Sequence, residues 1–134
     1  MKRRMLDTDT LSYMLKGREP VASRAKAYIV EHGGISISAI TFYEVLRGLR
    51  FVDATRQLQA FEDFARTNEI FPLDVRVCRR AADIYADLRR AGNLIEDADL
   101  LIAATALAND CVLVTNNTDH YGRIANLELE NWAA

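Results

Sequence analysis

Cysteine is nearly missing from this chain: Cys78 and Cys111 are the only two. They stand far apart and outside any CxxC spacing, which argues against a disulfide framework or a cysteine-built zinc site and suits a reducing compartment. Histidine is as scarce, with His32 and His120 alone, so no candidate Ser-His-Asp set competes for the chemistry. Two prolines and six glycines leave no linker and no low-complexity tract, and no Gly-rich phosphate loop occurs. Apolar runs stop well short of the roughly 18 residues of a membrane span. The opening "MKRRML" is basic, but Asp7 interrupts it before an apolar stretch of signal-peptide length develops. The chain is therefore expected to work in the cytoplasm. An excess of charge is missing too: 17 Lys and Arg face 19 Asp and Glu, for a net charge of -2. A general polyanion binder is basic, so any contact with nucleic acid has to come from a local patch.

What is present is a core. Half of the 134 residues are apolar and 27% are charged, which places the chain with soluble single domains and against disorder. Its patterning predicts strands alternating with helices. A short strand over Arg4 to Asp7 leads into a helix from Asp9 or Thr10. Pro20 suits the first turn of a helix over Val21 to Glu31, which Gly33-Gly34 closes. "ISISA" (Ile35 to Ala39) alternates as a strand does. "ITFYEVLRGLR" spaces Phe42, Val45, Leu46 and Leu49 for a helix, with Thr41 as its cap. An amphipathic helix is expected over Ala54 to Arg66 and a strand over Ile70 to Asp74. A helix over Val75 to Ala91 carries a stripe of Val77, Ala81, Ile84, Tyr85 and Leu88. "DADLLIAATALAND" is apolar nearly all round and so central. "CVLVTNN" reads as a buried strand, and "LELENW" as an alternating edge strand. Alternation of this kind implies an α/β domain with a mostly parallel sheet covered on both faces, and sites in such sheets form beyond the carboxyl ends of the strands.

Four polar positions fall at those ends. Asp7 closes the first strand, Glu44 lies early in the helix after the second, Asp99 opens the apolar helix, and Asn117 follows "CVLVT". Each alone has an ordinary reading as a cap, a solvated helix residue, a dipole partner or a turn. Jointly they bring three carboxylates and an amide to one end of one sheet. Clustered carboxylates repel and take up protons unless a cation compensates them. A hard, oxygen-preferring ion such as Mg²⁺, or Mn²⁺ in its place, is the natural occupant, and such an ion can activate water against a phosphoryl group.

The stretches "MLDTDTLSYML", "ISISAITFYEVLRGL", "EDADLLIAATAL" and "LVTNNTDHYGRI" resemble, in order and spacing, the motifs of the PIN-domain ribonucleases. Within these the chain looks like a VapC-type toxin of a bacterial type II toxin–antitoxin pair, and the similarity spans nearly the whole chain. The resemblance implies a three-layer α/β/α sandwich with a mostly parallel central sheet. It places the family's metal ligands on Asp7, Glu44 and Asp99, and its fourth position, acidic in some members, on Asn117. Asp97 is then an additional acid near the ion. Asp9, where many members carry Asn, becomes a helix cap or a group behind the ligands.

The same resemblance implies Mg²⁺-dependent hydrolysis of RNA, with tRNA a common substrate of such toxins. It further implies a homodimer and a cognate VapB-like antitoxin whose C-terminal segment blocks the site. Residues near Leu11 to Leu15 and Ala54 to Phe64 could supply that groove, although Met14, Phe51 and Phe61 read as core. Arg47, three residues beyond Glu44, is the preferred phosphate contact, ahead of Arg50, Arg3, Arg4 and Arg123. The pairs Arg79-Arg80 and Arg89-Arg90 read as solvated. One rival stands: "LDTDT" also satisfies DxDxT, the opening motif of haloacid-dehalogenase-like phosphatases, with Asp7 as nucleophile and Asp9 as acid/base. Against it, Lys26 is the last lysine in the sequence and Glu44 is left without a role. A non-catalytic relative with a degenerate site is a further class, opposed by the intact Asp7, Glu44 and Asp99.

Overall fold

A computed structural model describes residues 2–134. Five short strands, β1 (Arg4–Leu6), β2 (Ser36–Ser38), β3 (Glu69–Phe71), β4 (Val112–Val114) and β5 (Leu129–Glu130), form one sheet in the order β3-β2-β1-β4-β5. Every pairing among the described residues is parallel, with Met5 beside Ser36 and Leu113, and Leu6 beside Ile37 and Val114. Seven helices connect them among the described residues: α1 (Thr8–Leu15), α2 (Val21–His32), α3 (Ala39–Phe51), α4 (Thr55–Thr67), α5 (Val75–Arg90), α6 (Asp97–Ala108) and α7 (Thr118–Tyr121).

The period of two along a strand sorts these residues onto two cores. Met5 and Leu113 face one side, packed with Val77, Ala81, Ile84 and Leu88 of α5 and with Leu100 and Ile102 to Ala104 of α6. Leu6, Ile37 and Val114 face the other, with Leu11 of α1, Val21 and Ala25 of α2, Val45 of α3 and Phe61 of α4. Helices thus cover both faces, as the expected three-layer sandwich requires. The helix with the most apolar sequence is the most enclosed: Leu100 and Ile102 to Ala106 of α6 are all buried.

The strand order positions the site. Chain growth runs β1, β2, β3 toward one edge, then returns through α5 and α6 to lay β4 on the other flank of β1. Beyond the carboxyl ends of β1 and β4, where the direction reverses, the connections leave on opposite faces and open a crevice. Asp7 follows β1, and Thr115 to Asn117 follow β4.

Several boundaries differ from the sequence reading. Helix α3 begins at Ala39 with Ser38, not Thr41, as its cap: Ser38 Oγ accepts from the Thr41 amide at 3.0 Å. Thr41 is buried. Asp74 caps α5 and does not end β3. Helix α6 stops at Ala108, and α7 and its burial of Tyr121 were not anticipated. Tyr85 lies off the buried α5 stripe, and Phe51 is 82% exposed and not core. The apolar chemistry of each was legible, but which side of a helix meets a neighbour depends on where the helix docks.

Candidate metal centre

Asp7 stands at a junction that a short strand and a helix make together. Its side chain is buried, 5% exposed, because β1 is the central strand and α1 turns back across its end. Asp7 is itself the N-cap of α1: Oδ1 accepts from the Thr10 amide at 2.9 Å. Oδ2 accepts from the Thr115 hydroxyl, just after β4, at 2.6 Å. Of the two readings of Asp9, helix cap or group behind the ligands, the cap is therefore taken by Asp7; Asp9 is exposed, in the first turn of α1. Thr115 in turn accepts the amide of Asn117 at 2.9 Å, so two loops are locked around one carboxylate. Burial pushes the Asp7 carboxyl above the usual aspartate range, against the pull of those hydrogen bonds.

Glu44 reaches the same place from α3. Its Oε1 accepts from the Thr8 hydroxyl at 2.6 Å, and Thr8 Oγ1 lies 3.1 Å from Thr41 Oγ1. Asp99 comes from the first turn of α6, where Tyr121 donates its hydroxyl to Oδ1 at 3.3 Å. Partial burial raises the Asp99 carboxyl as well, aided by the negative charges of Glu96 and Glu44. Desolvation and the negative charges of Asp99, Asp7 and Glu44 keep the Tyr121 phenol protonated well beyond its ordinary range, so it stays a donor. Asn117 shares a 2.9 Å contact with His120 Nδ1, and that nitrogen lies 3.9 Å from Asp99 Oδ2.

Asp7, Asp9, Glu44, Asp99 and Asn117 line one cavity of about 130 Å³ with Thr8, Ile102 and Tyr121. Five of the seven sequence candidates are therefore brought together. Asp97 is exposed in the first turn of α6 and is not among the lining residues. Arg47 sits at the rim, its guanidinium 3.8 Å from Glu44 Oε2. Arg3 and Arg4 lie at the opposite end of the sheet, paired with Glu69 and Glu130. Arg123 lines a separate hollow beside α5 and α6. Thr8, Thr115, Tyr121 and His120 were missed, although Thr8 and Thr115 sit inside the quoted motifs and one step from Asp7 and two from Asn117.

The donor set fits a hard divalent cation: carboxylate and amide oxygens from four segments, without a cationic side chain in the lining. Among the described residues no three Asp, Glu, His or Cys side chains form a closed ligand group. Asp7, Glu44 and Asp99 are instead each engaged by a hydroxyl or amide of the chain. The raised carboxyls show what the ion would relieve, since buried and mutually repelling charge is costly until a cation arrives.

The PIN domain family model matches residues 4–127. The chain is 28% identical over 134 residues to the tRNA(fMet)-specific endonuclease VapC of Shigella flexneri, covering 99% of this chain and all of that one. It is 31% identical to ribonuclease VapC2 of Rickettsia felis, covering 96% of each. Among solved structures, DNA-bound VapBC from Salmonella typhimurium superposes with a TM-score of 0.86 at 29% identity, over 98% of this chain and 99% of that one. VapBC2 from Rickettsia felis, bound to a promoter DNA fragment, gives 0.84 at 30% identity, over 96% and 98%.

Proposed function

The chain belongs to the PIN domain family, and from that premise we propose that it is a metal-dependent endoribonuclease, the toxin of a VapBC-type toxin–antitoxin module. The observation that carries the reading is the convergence of Asp7, Glu44 and Asp99 on one cavity at the β1/β4 switch point. Family membership decides against the phosphatase alternative, and no lysine lines that cavity among the described residues.

Asp7, Asp99 and Glu44 would hold a divalent ion, Mg²⁺ in this proposal, with the Asn117 amide as a neutral fourth group. When bound, such an ion supplies an acidified water and positive charge against the phosphoryl oxygens. The chain supplies the rest. Thr10 and Thr115 fix the Asp7 carboxylate from two sides, Tyr121 fixes Asp99, and Thr8 fixes Glu44. Such partners keep ligands in place and commonly account for 10- to 100-fold in affinity or activity. Arg47, at the rim, provides the local positive charge that a chain of net charge -2 needs to meet a phosphate backbone.

The partner is a VapB-like antitoxin. A mostly apolar groove of about 410 Å³ runs between α1, α3 and α4, lined by Leu15, Val45, Leu49, Val52, Ala54 and Ala60. Thr8 and Glu44 line both this groove and the acidic cavity, so a segment lying in it ends at the carboxylates. Helices α1 and α4 contribute as expected, and α3 adds a wall that was not. The homodimer is proposed from the family alone. No helix among the described residues is long and apolar enough to cross a membrane.

The test is the chemistry of the cut ends. Purified protein with Mg²⁺ or Mn²⁺ is expected to cleave RNA, tRNA first, leaving 5′-phosphates and 3′-hydroxyls, and to stop on chelation. Sequencing of 5′-phosphate RNA ends after brief induction in cells finds the same sites, absent with Asp7→Asn. Intact RNA alongside turnover of p-nitrophenyl phosphate would return the phosphatase reading.

A further inference from the structure

We propose that Tyr43, backed by Arg47, is a stacking shelf for an unpaired base next to the scissile phosphate. The proposal rests on the nuclease reading above and extends it to how the substrate is gripped.

Tyr43 is a large aromatic that the fold leaves 57% exposed, although its helix α3 is anchored by buried Thr41 and Val45 on the other side. It precedes Glu44, whose carboxylate lines the acidic cavity. The Arg47 guanidinium, one turn on, sits 5.1 Å from the centre of the Tyr43 ring. It is also 3.8 Å from Glu44 Oε2, too far for a hydrogen bond that would occupy it. Ring, cation and carboxylate therefore follow one another from the solvent face of α3 into the cavity.

That order matches single-stranded RNA. A π-face accepts any base, an arginine beside it meets the backbone phosphate, and the two reinforce each other. Tyr43 and Glu44 are consecutive residues of α3, so a phosphate held at the carboxylates would leave its neighbouring base on the Tyr43 side of the cavity. A paired base, already stacked on both faces, cannot use the shelf. The arrangement thus favours loops and unpaired ends over duplex. It also explains why a chain with little aromatic content leaves one ring open beside its acids.

The experiment uses short single-stranded RNAs spanning an identified cleavage point, cut by wild type, Tyr43→Phe, Tyr43→Ala and Phe51→Ala. Stacking on an aromatic typically contributes an effect of about 5- to 150-fold per base. Tyr43→Ala is expected to raise KM by about that much with kcat within about twofold, and Tyr43→Phe to behave as wild type. Phe51→Ala removes a still more exposed ring two turns farther along α3 and is expected to leave KM unchanged. An abasic nucleotide at one position flanking the cut reproduces the KM rise in wild type and adds nothing to Tyr43→Ala, as a shared contact requires. An unchanged KM in Tyr43→Ala, additive effects of the two changes, or an equal rise in Phe51→Ala would overturn the shelf. So would a shift of Tyr43→Ala to smaller species in sedimentation velocity, which marks the face as a contact between copies. A wild type that cuts no RNA overturns the nuclease reading and the shelf together; a cutting wild type isolates the shelf.

Discussion

Asp7→Asn is expected to lower RNA cleavage by at least about 10³-fold, and also to make the cation-free protein more stable than wild type near neutral pH. Loss of a ligand removes several kcal/mol of charge stabilisation from the transition state, which sets the activity loss. The stability gain has a separate cause. Asp7 is 5% exposed, and burial raises its carboxyl above the ordinary value near 3.9. The folded chain therefore holds the Asp7 proton more tightly than the unfolded chain does. The sign follows by linkage: the contribution of Asp7 to stability is greatest below the unfolded value and is lost as pH rises through the raised folded value. Above it, a charged carboxylate is kept out of water by the fold, and Asn carries no such charge. Thermal unfolding from pH 3 to 8 in chelator checks this. The wild-type curve should fall below that of Asp7→Asn as pH rises, and Mn²⁺ should restore wild type alone. Equal curves with chelator would show that burial of Asp7 costs the fold nothing.

Asp99→Asn is expected to lower cleavage by a similar factor through the same loss of a ligand, but with a smaller gain in cation-free stability. Asp99 is only part-buried, and its carboxyl is raised by burial first and by Glu96 and Glu44 after that. The informative companion is Tyr121→Phe. It keeps the carboxylate and deletes the hydroxyl that donates to it at 3.3 Å. A positioning role predicts a loss of about 10- to 100-fold, with a weaker apparent affinity for the divalent ion, recoverable at higher Mn²⁺. Steady-state rates across a cation titration separate the two variants: Tyr121→Phe approaches wild type at saturation and Asp99→Asn does not. Full activity of Asp99→Asn at any cation concentration would remove Asp99 from the ligand set.

The fold class was legible because strand and helix periods differ and the chain keeps to them. "CVLVT" has no charge and becomes a strand buried on both faces, and "LLIAATALA" becomes the enclosed α6. Placement of Asp7, Glu44, Asp99 and Asn117 at the carboxyl ends of the strands followed from that order, and the four line one cavity. The less legible parts depend on tertiary docking. Asp7 and Asp9 are both credible caps in sequence, and the choice is made by β1, which buries Asp7 and leaves Asp9 in water. Asp97 and Asp99 are two apart, and the rotation of α6 sends only the second inward. Tyr121 gave no periodic signal because α7 is a single turn, yet its hydroxyl reaches Asp99. Arg3 and Arg4 were equally basic in sequence to Arg47, but β1 runs toward the site from them, leaving both at its far, amino-terminal end, paired with Glu69 and Glu130.

The most direct test of the whole account is isothermal titration of Mn²⁺ into the metal-free protein, with Asp7→Asn and Asp99→Asn alongside. A cavity built from these oxygens predicts saturable binding in wild type that each substitution weakens sharply, with protons released on binding where Asp7 starts protonated. Binding of equal affinity in all three proteins, or none in wild type, would contradict it.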